Sequence, residues 1–441
     1  TMKRLLPILL CSLLLSGLRN ATAQEASKTW TLQECLDYAY QNNIQVRQSR
    51  NNQLSGIEDT KQAKAALFPS LVASTTQSYT NYPSSEVTDN NSYTGTYGIT
   101  AGMTIFEGGK LRTEVKRQKV QNQMDALSVE ESVNDIRIAI VEAYMQCLYA
   151  MESVTVNRST AEASKAQRDR AEEMLRTGSI SRVDFAQLQS QYSSDEYQIV
   201  VAGSTLDNYK LQLKQLLELD IMEEMNPAVP RVKEENVLKA LPPKNEVYET
   251  ALKVMPQIRR GELGIEAAKL EEKSARAGFF PSISLSASVG TGHMSNNDFE
   301  SGSQIWNRFN ENVGLTLNIP IFSNRKNRTA VNKAKIALND SYLEWTSLQK
   351  ELLRNVESAY LDAVSAQAQY LSAREKEKYA RESYELTSEQ FRVGVKNTVE
   401  LITAQNEYSA AQQQVLQAKY LTLLSIELLN IYQGLPASDI Y

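Results

Sequence analysis

One histidine, His293, and three cysteines, Cys11, Cys35 and Cys147, are the only histidine and thiol chemistry in the 441-residue chain. That single imidazole falls in a stretch that reads as an outer loop, so neither a histidine-based triad nor a histidine metal site is expected. The run GMTIFEGGKL (102–111) imitates a phosphate-binding loop, but position 104 is Thr where Gly is required and Leu111 replaces the Ser/Thr after Lys110. No enzyme activity, metal or cofactor is therefore expected. Two acids stand out from the rest: Asp184 and Glu400 each lie six residues after a glycine, Gly178 and Gly394. Taken singly, each is an acid in the first turn of a helix, where the macrodipole favours it.

Those positions match because the chain repeats itself. Ala63, Phe68, Pro69 and Ser70 recur as Ala275, Phe280, Pro281 and Ser282, and Phe106 and Lys110 as Phe322 and Lys326. An offset of about 216 then holds through Ala143–Tyr144 and Ala359–Tyr360, Arg176-x-Gly178 and Arg392-x-Gly394, and Gln189-x-x-Tyr192-Ser193 and Gln405-x-x-Tyr408-Ser409. A gapless register suits helices with a packing seam, since one inserted residue rotates the apolar stripe. The chain divides into a first repeat, 24–230, a second, 231–434, and a short tail, 435–441. Each repeat is expected to have a helix (31–66; 246–278), a helix-to-strand corner at Phe68-Pro69 or Phe280-Pro281, and a β-hairpin (70–106; 282–321). A long helix (109–176; 325–392) and a returning helix (181–218; 397–433) follow. A helix of about 68 residues reaches about 100 Å, so it must lie along others as in a coiled coil.

Residues 1–23 read as a secretory signal: Lys3 and Arg4, an apolar run from Leu5 to Leu15, then Ala21-Thr22-Ala23 as the cleavage site. Leu10 before Cys11 argues against lipoprotein processing. Removing Lys3, Arg4 and Arg19 with no acid takes the net charge from −5 to about −8, which argues against nucleic acid. Cys35 and Cys147 sit in helical pattern as buried thiols, with a disulfide open to an exported chain. No other stretch is apolar enough to span a membrane as a helix.

The strands alternate. In 92–106, Tyr93, Tyr97, Ile99, Ala101, Met103 and Ile105 share one face, opposite Thr94, Thr96, Gly98, Thr100, Gly102 and Thr104. Ile283, Leu285, Ala287 and Val289 oppose Ser284, Ser286, Ser288 and Gly290, and Val313, Leu315, Leu317 and Ile319 oppose Gly314, Thr316 and Asn318. Period two with small polar residues on the reverse suits a membrane barrel with a wet lumen, and equally a half-buried hairpin in a soluble sheet. Absence of charge on the apolar faces and aromatics at the strand ends favour the barrel. Four strands cannot close one, so copies must share it. The polar linkers 81–91 and 291–311 then face outward.

The FPS corners, FEGGK and FSNRK after the second strands, and the paired RTGSISRVDFAQLQSQY and RVGVKNTVELITAQNEY turns resemble the TolC-type outer membrane efflux proteins. The resemblance runs from about Trp30 to Gly434. It implies a mainly α fold with a transmembrane β-barrel: a homotrimer with four strands per protomer in a shared twelve-stranded barrel, above a periplasmic α-barrel of long antiparallel helices. It implies a passive exit duct in the outer membrane lipid, coupled through a periplasmic adaptor (membrane fusion) protein to an inner-membrane pump of RND or ABC type. The turns at Arg176, Gly178, Arg392 and Gly394 would dock the adaptor besides ending helices. Asp184 and Glu400 would line the inner aperture, as carboxylates that three copies bring together. Thr403 stands where the family has a second acid, and Phe391 where it has a tyrosine that bonds across the closed aperture. Lys396 replaces an arginine, and is expected to pair with a carboxylate of the neighbouring hairpin. The rival reading is an exported coiled-coil protein or adhesin that conducts nothing.

Overall fold

The computed structural model describes residues 29–83, 91–230, 232–295 and 300–436. The signal segment 1–23 and Cys11 lie outside the described residues, as does most of the tail.

The elements follow one plan twice. A two-residue strand β1 (Thr29–Trp30) leads into α1 (Leu32–Asn42) and α2 (Ile44–Ala65), then strands β2 (Ser70–Asn81) and β3 (Asn91–Glu107). The long α3 (Lys110–Arg176) turns back into α4 (Arg182–Leu216). After β4 (Asn226–Pro227) and the short α5 (Glu234–Val237) come α6 (Lys244–Val254), α7 (Pro256–Ala277), β5 (Ser282–Met294), α8 (Ser301–Asn307) and β6 (Asn310–Asn318). The long α9 (Lys326–Arg392) and α10 (Thr398–Tyr432) complete the second repeat. The long helices have 67 residues each and the returning helices 35 each.

The first helix of each repeat, expected to be continuous, is two. At Asn43 the backbone leaves the helix and the side chain accepts from the amides of Gln45 (2.9 Å) and Val46 (3.4 Å), capping α2. At the equivalent point Pro256 occupies the first position of α7, where a missing N–H costs nothing, and Met255 is extended. The breaks let short helices stack end to end beside a long one. Asn43 Nδ2 donates to the Leu216 carbonyl at the end of α4 (3.0 Å), and Gly434 after α10 abuts Val254.

The main core gathers at the first junction: Trp30, Leu36, Val46, Ile140, Tyr144, Cys147, Leu213 and Leu423 are all buried. The Tyr144 hydroxyl lies 2.8 Å from the Ala228 carbonyl and 3.1 Å from that of Trp30, tying the β1–β4 pair to α3. Cys147 is a free buried thiol, so it does not bridge to Cys35; burial pushes its pKa up to about 12.

Four strands form one antiparallel sheet in the order β2-β3-β5-β6. Register aligns like with like: Leu71, Ala101, Ala287 and Val313 share a row, and so do Ser70, Gly102, Ser286 and Gly314. Two details differ from the alternation read along the chain. The β3–β5 register slips between Thr104 and Phe106, so Phe106 rather than Ile105 continues the apolar row with Ile283 and Leu317. His293 lies in β5 instead of a loop, opposite Gly95, where a missing side chain leaves its ring room beside Tyr93 and Tyr97. Part of the expected 291–311 linker is likewise structured, as the end of β5 and as α8.

Candidate functional site

Two turns lie at the end of the helices farthest from the sheet, and both are built by local rules. After α3 the Gly178 amide donates to the Leu175 carbonyl (3.0 Å) and Ser179 N to Met174 O (2.8 Å); after α9, Gly394 N donates to Phe391 O (3.0 Å) and Val395 N to Gln390 O (2.9 Å). Both are Schellman closures, which need a left-handed residue. Gly178 and Gly394 supply it at φ +77° and +78°, and a Cβ at either would meet nothing within 4 Å. Backbone conformation alone therefore calls for glycine at both. Arg176 and Arg392 are exposed and pair one turn back, with Glu173 (2.6 Å) and Glu389 (2.8 Å).

The next helices start on side-chain caps. Ser181 Oγ accepts from Asp184 N (3.1 Å) and donates to the Asp184 carboxylate (2.6 Å). Asn397 accepts from Glu400 N (2.9 Å), and Glu400 accepts from Asn397 N (3.1 Å), a reciprocal capping box. Both acids are held below the usual carboxylate range. For Asp184 the main cause is the Ser181 hydroxyl, then the Thr398 hydroxyl from the other hairpin. For Glu400 it is the Lys396 ammonium, then the Asn397 amide. Within one chain Lys396 pairs in its own turn, with Glu400 four residues on, a contact that the i, i+4 spacing on a capped helix start favours.

The two tips adhere to each other. Phe391 is buried with Ala171, Leu188 and Leu401, so it serves as a packing residue between the hairpins. Thr403 is exposed on α10. Two turns back from Phe391, Tyr384 accepts from Gln167 Nε2 of α3 (2.9 Å) and stacks on Tyr408.

Four turns above the tip lies a group that the motifs did not flag. Asp195 of α4 is buried and accepts from Gln191 Nε2 (3.0 Å) and from Gln405 Nε2 of α10 (3.3 Å), with the Ser164 hydroxyl of α3 also bonded to it. Burial raises its pKa, opposite in sign to the tip acids. The repeat offset equates Asp195 with Ala411, also buried, so both repeats turn this position inward.

At the other end the corners differ in character. Phe68, Phe279 and Phe280 are exposed after the last turns of α2 and α7, and Pro69 and Pro281 separate helix from strand. The chain returns to helix through Gly108-Gly109, both at positive φ, and through Asn324-Arg325 at the same two positions of the second repeat. Gly108 is close-packed as well: a Cβ there would lie 2.6 Å from the Ala277 carbonyl.

Among the described residues no three His, Cys, Asp or Glu side chains gather into a metal site, and no helix is long and apolar enough to cross a membrane. The profile of a family described as "Outer membrane efflux protein" matches residues 35–218 and 247–432. The outer membrane efflux protein BepC of Brucella suis is 23% identical over 431 residues, covering 97% of this chain and 90% of that one. The outer membrane protein TolC of Escherichia coli is 22% identical, covering 98% and 86%. Among solved structures, the CmeC outer membrane channel of Campylobacter jejuni superposes with a TM-score of 0.78 at 19% identity, over 91% of this chain and 85% of that one.

Proposed function

Since this chain belongs to the outer membrane efflux protein family, we propose that it forms a homotrimeric duct whose copies pool their strands in one twelve-stranded barrel. It is an outer membrane efflux or secretion channel. The observation that carries the shared barrel is the sheet itself. Towards the helical end one face is apolar in register (Leu71, Ala101, Ala287, Val313) and the other mostly Ser, Thr and Gly. A charge enters the apolar rows only at their outer end, where Glu311 stands opposite Val289. Strands β2 and β6 are the sheet edges, each with a single partner strand among the described residues. Within a bilayer, unpaired backbone groups cost several kcal/mol each, so a spanning sheet must close on itself. Four strands are about half the practical minimum. Three copies give twelve, and the remaining exposed apolar rows on the helices support the same assembly: Leu361, Val364, Leu371 and Leu386 of α9, and Tyr197 and Val200 of α4.

In this reading the helices continue the bore inward for about 100 Å. The tips at Gly178 and Gly394 form the docking rim for a periplasmic adaptor, beyond which an inner-membrane pump of RND or ABC type supplies the energy. Asp184 and Glu400 with Lys396 make a charged ring at the inner aperture. Phe391 and Leu188 hold the two hairpins of a protomer as one unit, and Phe68-Pro69 and Phe280-Pro281 sit at the periplasmic face of the outer membrane. The adhesin alternative lacks a reason for the polar sheet face.

Purified protein in mild detergent is expected to have the mass of three chains, and to give stepwise ion conductance in planar bilayers. A monomer that needs no detergent and conducts nothing would overturn the proposal.

A further inference from the structure

The two free edges of the sheet are unequal. Strand β2 has 12 residues and β6 has 9. Each stops against a proline region at the helical end: Pro69 precedes Ser70, and Pro320 follows Asn318 by two. A proline cannot donate to a ladder, so pairing between a β6 and the β2 of the next copy starts with Asn318 opposite Ser70. That register keeps the faces in phase. Leu317 then meets Leu71, Leu315 meets Ala73, and Asn310 meets Ser78. The last three residues of β2, Tyr79 to Asn81, run past the end of β6.

Something already stands where the missing rungs would be. Beyond the Gly290–Asn310 pair, the β5 edge is covered by α8. Gln304, buried, supplies both bonds of an absent strand: its Oε1 accepts from Met294 N (2.9 Å) and its Nε2 donates to Met294 O (3.0 Å). The Thr291 hydroxyl bonds the Ile305 carbonyl as a second pin. So anchored, α8 presents Trp306 at 83% exposure and the following Phe309 at 54%, while Tyr79 and Tyr82 at the other edge stand at 67% and 52%.

We propose that Phe309 and α8 of each copy close over Tyr79 and Tyr82 of the next, an aromatic clasp between copies at the outer rim of the barrel. The occupant is a second copy of this chain, because the overhang on one edge has the length and the face to fill the shortfall on the other. Aromatic rings suit that level, where one side meets lipid and the other water. The clasp rests on the shared-barrel reading above.

Paired cysteines test it, since β2 and β6 of one copy are three strand spacings apart, about 14 Å, too far for a disulfide within a chain. Mild oxidation of outer membranes carrying Tyr79→Cys with Phe309→Cys, or the gentler Ser78→Cys with Asn310→Cys, is expected to convert most monomer on a denaturing gel into reducible dimer and trimer. Leu71→Cys with Leu317→Cys, at the helical end, reads the barrel seam independently. Cross-linking of that inner pair without either rim pair overturns the clasp and leaves the barrel standing. A trimer in which no pair cross-links overturns the register and the clasp together. A monomeric protein with no cross-links overturns the shared barrel first.

Discussion

At the residue scale the inner end of the molecule is a small charge ledger. Among the groups proposed for the aperture each copy brings two carboxylates, Asp184 and Glu400, and one ammonium, Lys396, which offsets Glu400 within a single turn. Asp184 therefore sets the net sign of the proposed ring. Lys396→Ala is expected to increase cation preference and Asp184→Asn to abolish most of it, read as the reversal potential across a KCl gradient. The pH course follows from the depressed pKa values of both acids. Their charged forms are preferred in the fold, so the stability they add is complete above the ordinary carboxylate pKa and is lost as pH falls through the depressed ones. Loss of selectivity already near pH 5 would contradict those hydrogen bonds. The tip acids were legible as first-turn acids from their matching places six residues after Gly178 and Gly394. Asp195 was not: in SSDEYQIV it reads as one more solvated acid, and only convergence of α3, α4 and α10 buries it.

At the element scale, the strands carry the most information per residue. Their alternation is a backbone period, so the faces are set before any partner is known. Leu285→Lys on the apolar face is expected to destabilise membrane insertion by about 2–4 kcal/mol, whereas Ser286→Lys on the opposite face leaves it intact. The fraction of folded trimer recovered from outer membranes checks the contrast; equal recovery would mean that the apolar face does not touch lipid. What alternation could not give is the slip between Thr104 and Phe106, since a bulge is a property of a pair of strands. His293 is a similar case: its place in β5 depends on Gly95 across the ladder, 198 residues away in sequence.

At the scale of the whole molecule, the surface of a single copy is unfinished. The α9 helix exposes Leu361 (66%) and Leu371 (49%) far from any membrane level, and a helix of 67 residues has too few neighbours in one chain to cover them. Leu361→Asp with Leu371→Asp is expected to shift the protein in mild detergent from trimer towards monomer, with helical circular dichroism retained because the junction core around Tyr144 is untouched. An unchanged trimer mass would place that face outside the interface.

The sequence by itself determined the duplication, the lengths of the long and returning helices, the corners at Pro69 and Pro281, and the two faces of the sheet. Each of these depends on residues close in the chain or on a repeat period. The tertiary structure decided where Asn43 and Pro256 split the first helices, how the register crosses Thr104–Phe106, that Phe391 packs inward, and that Lys396 is satisfied at home. These are outcomes of competition between partners distant in sequence, and no local pattern ranks such partners until the backbone has brought them within reach.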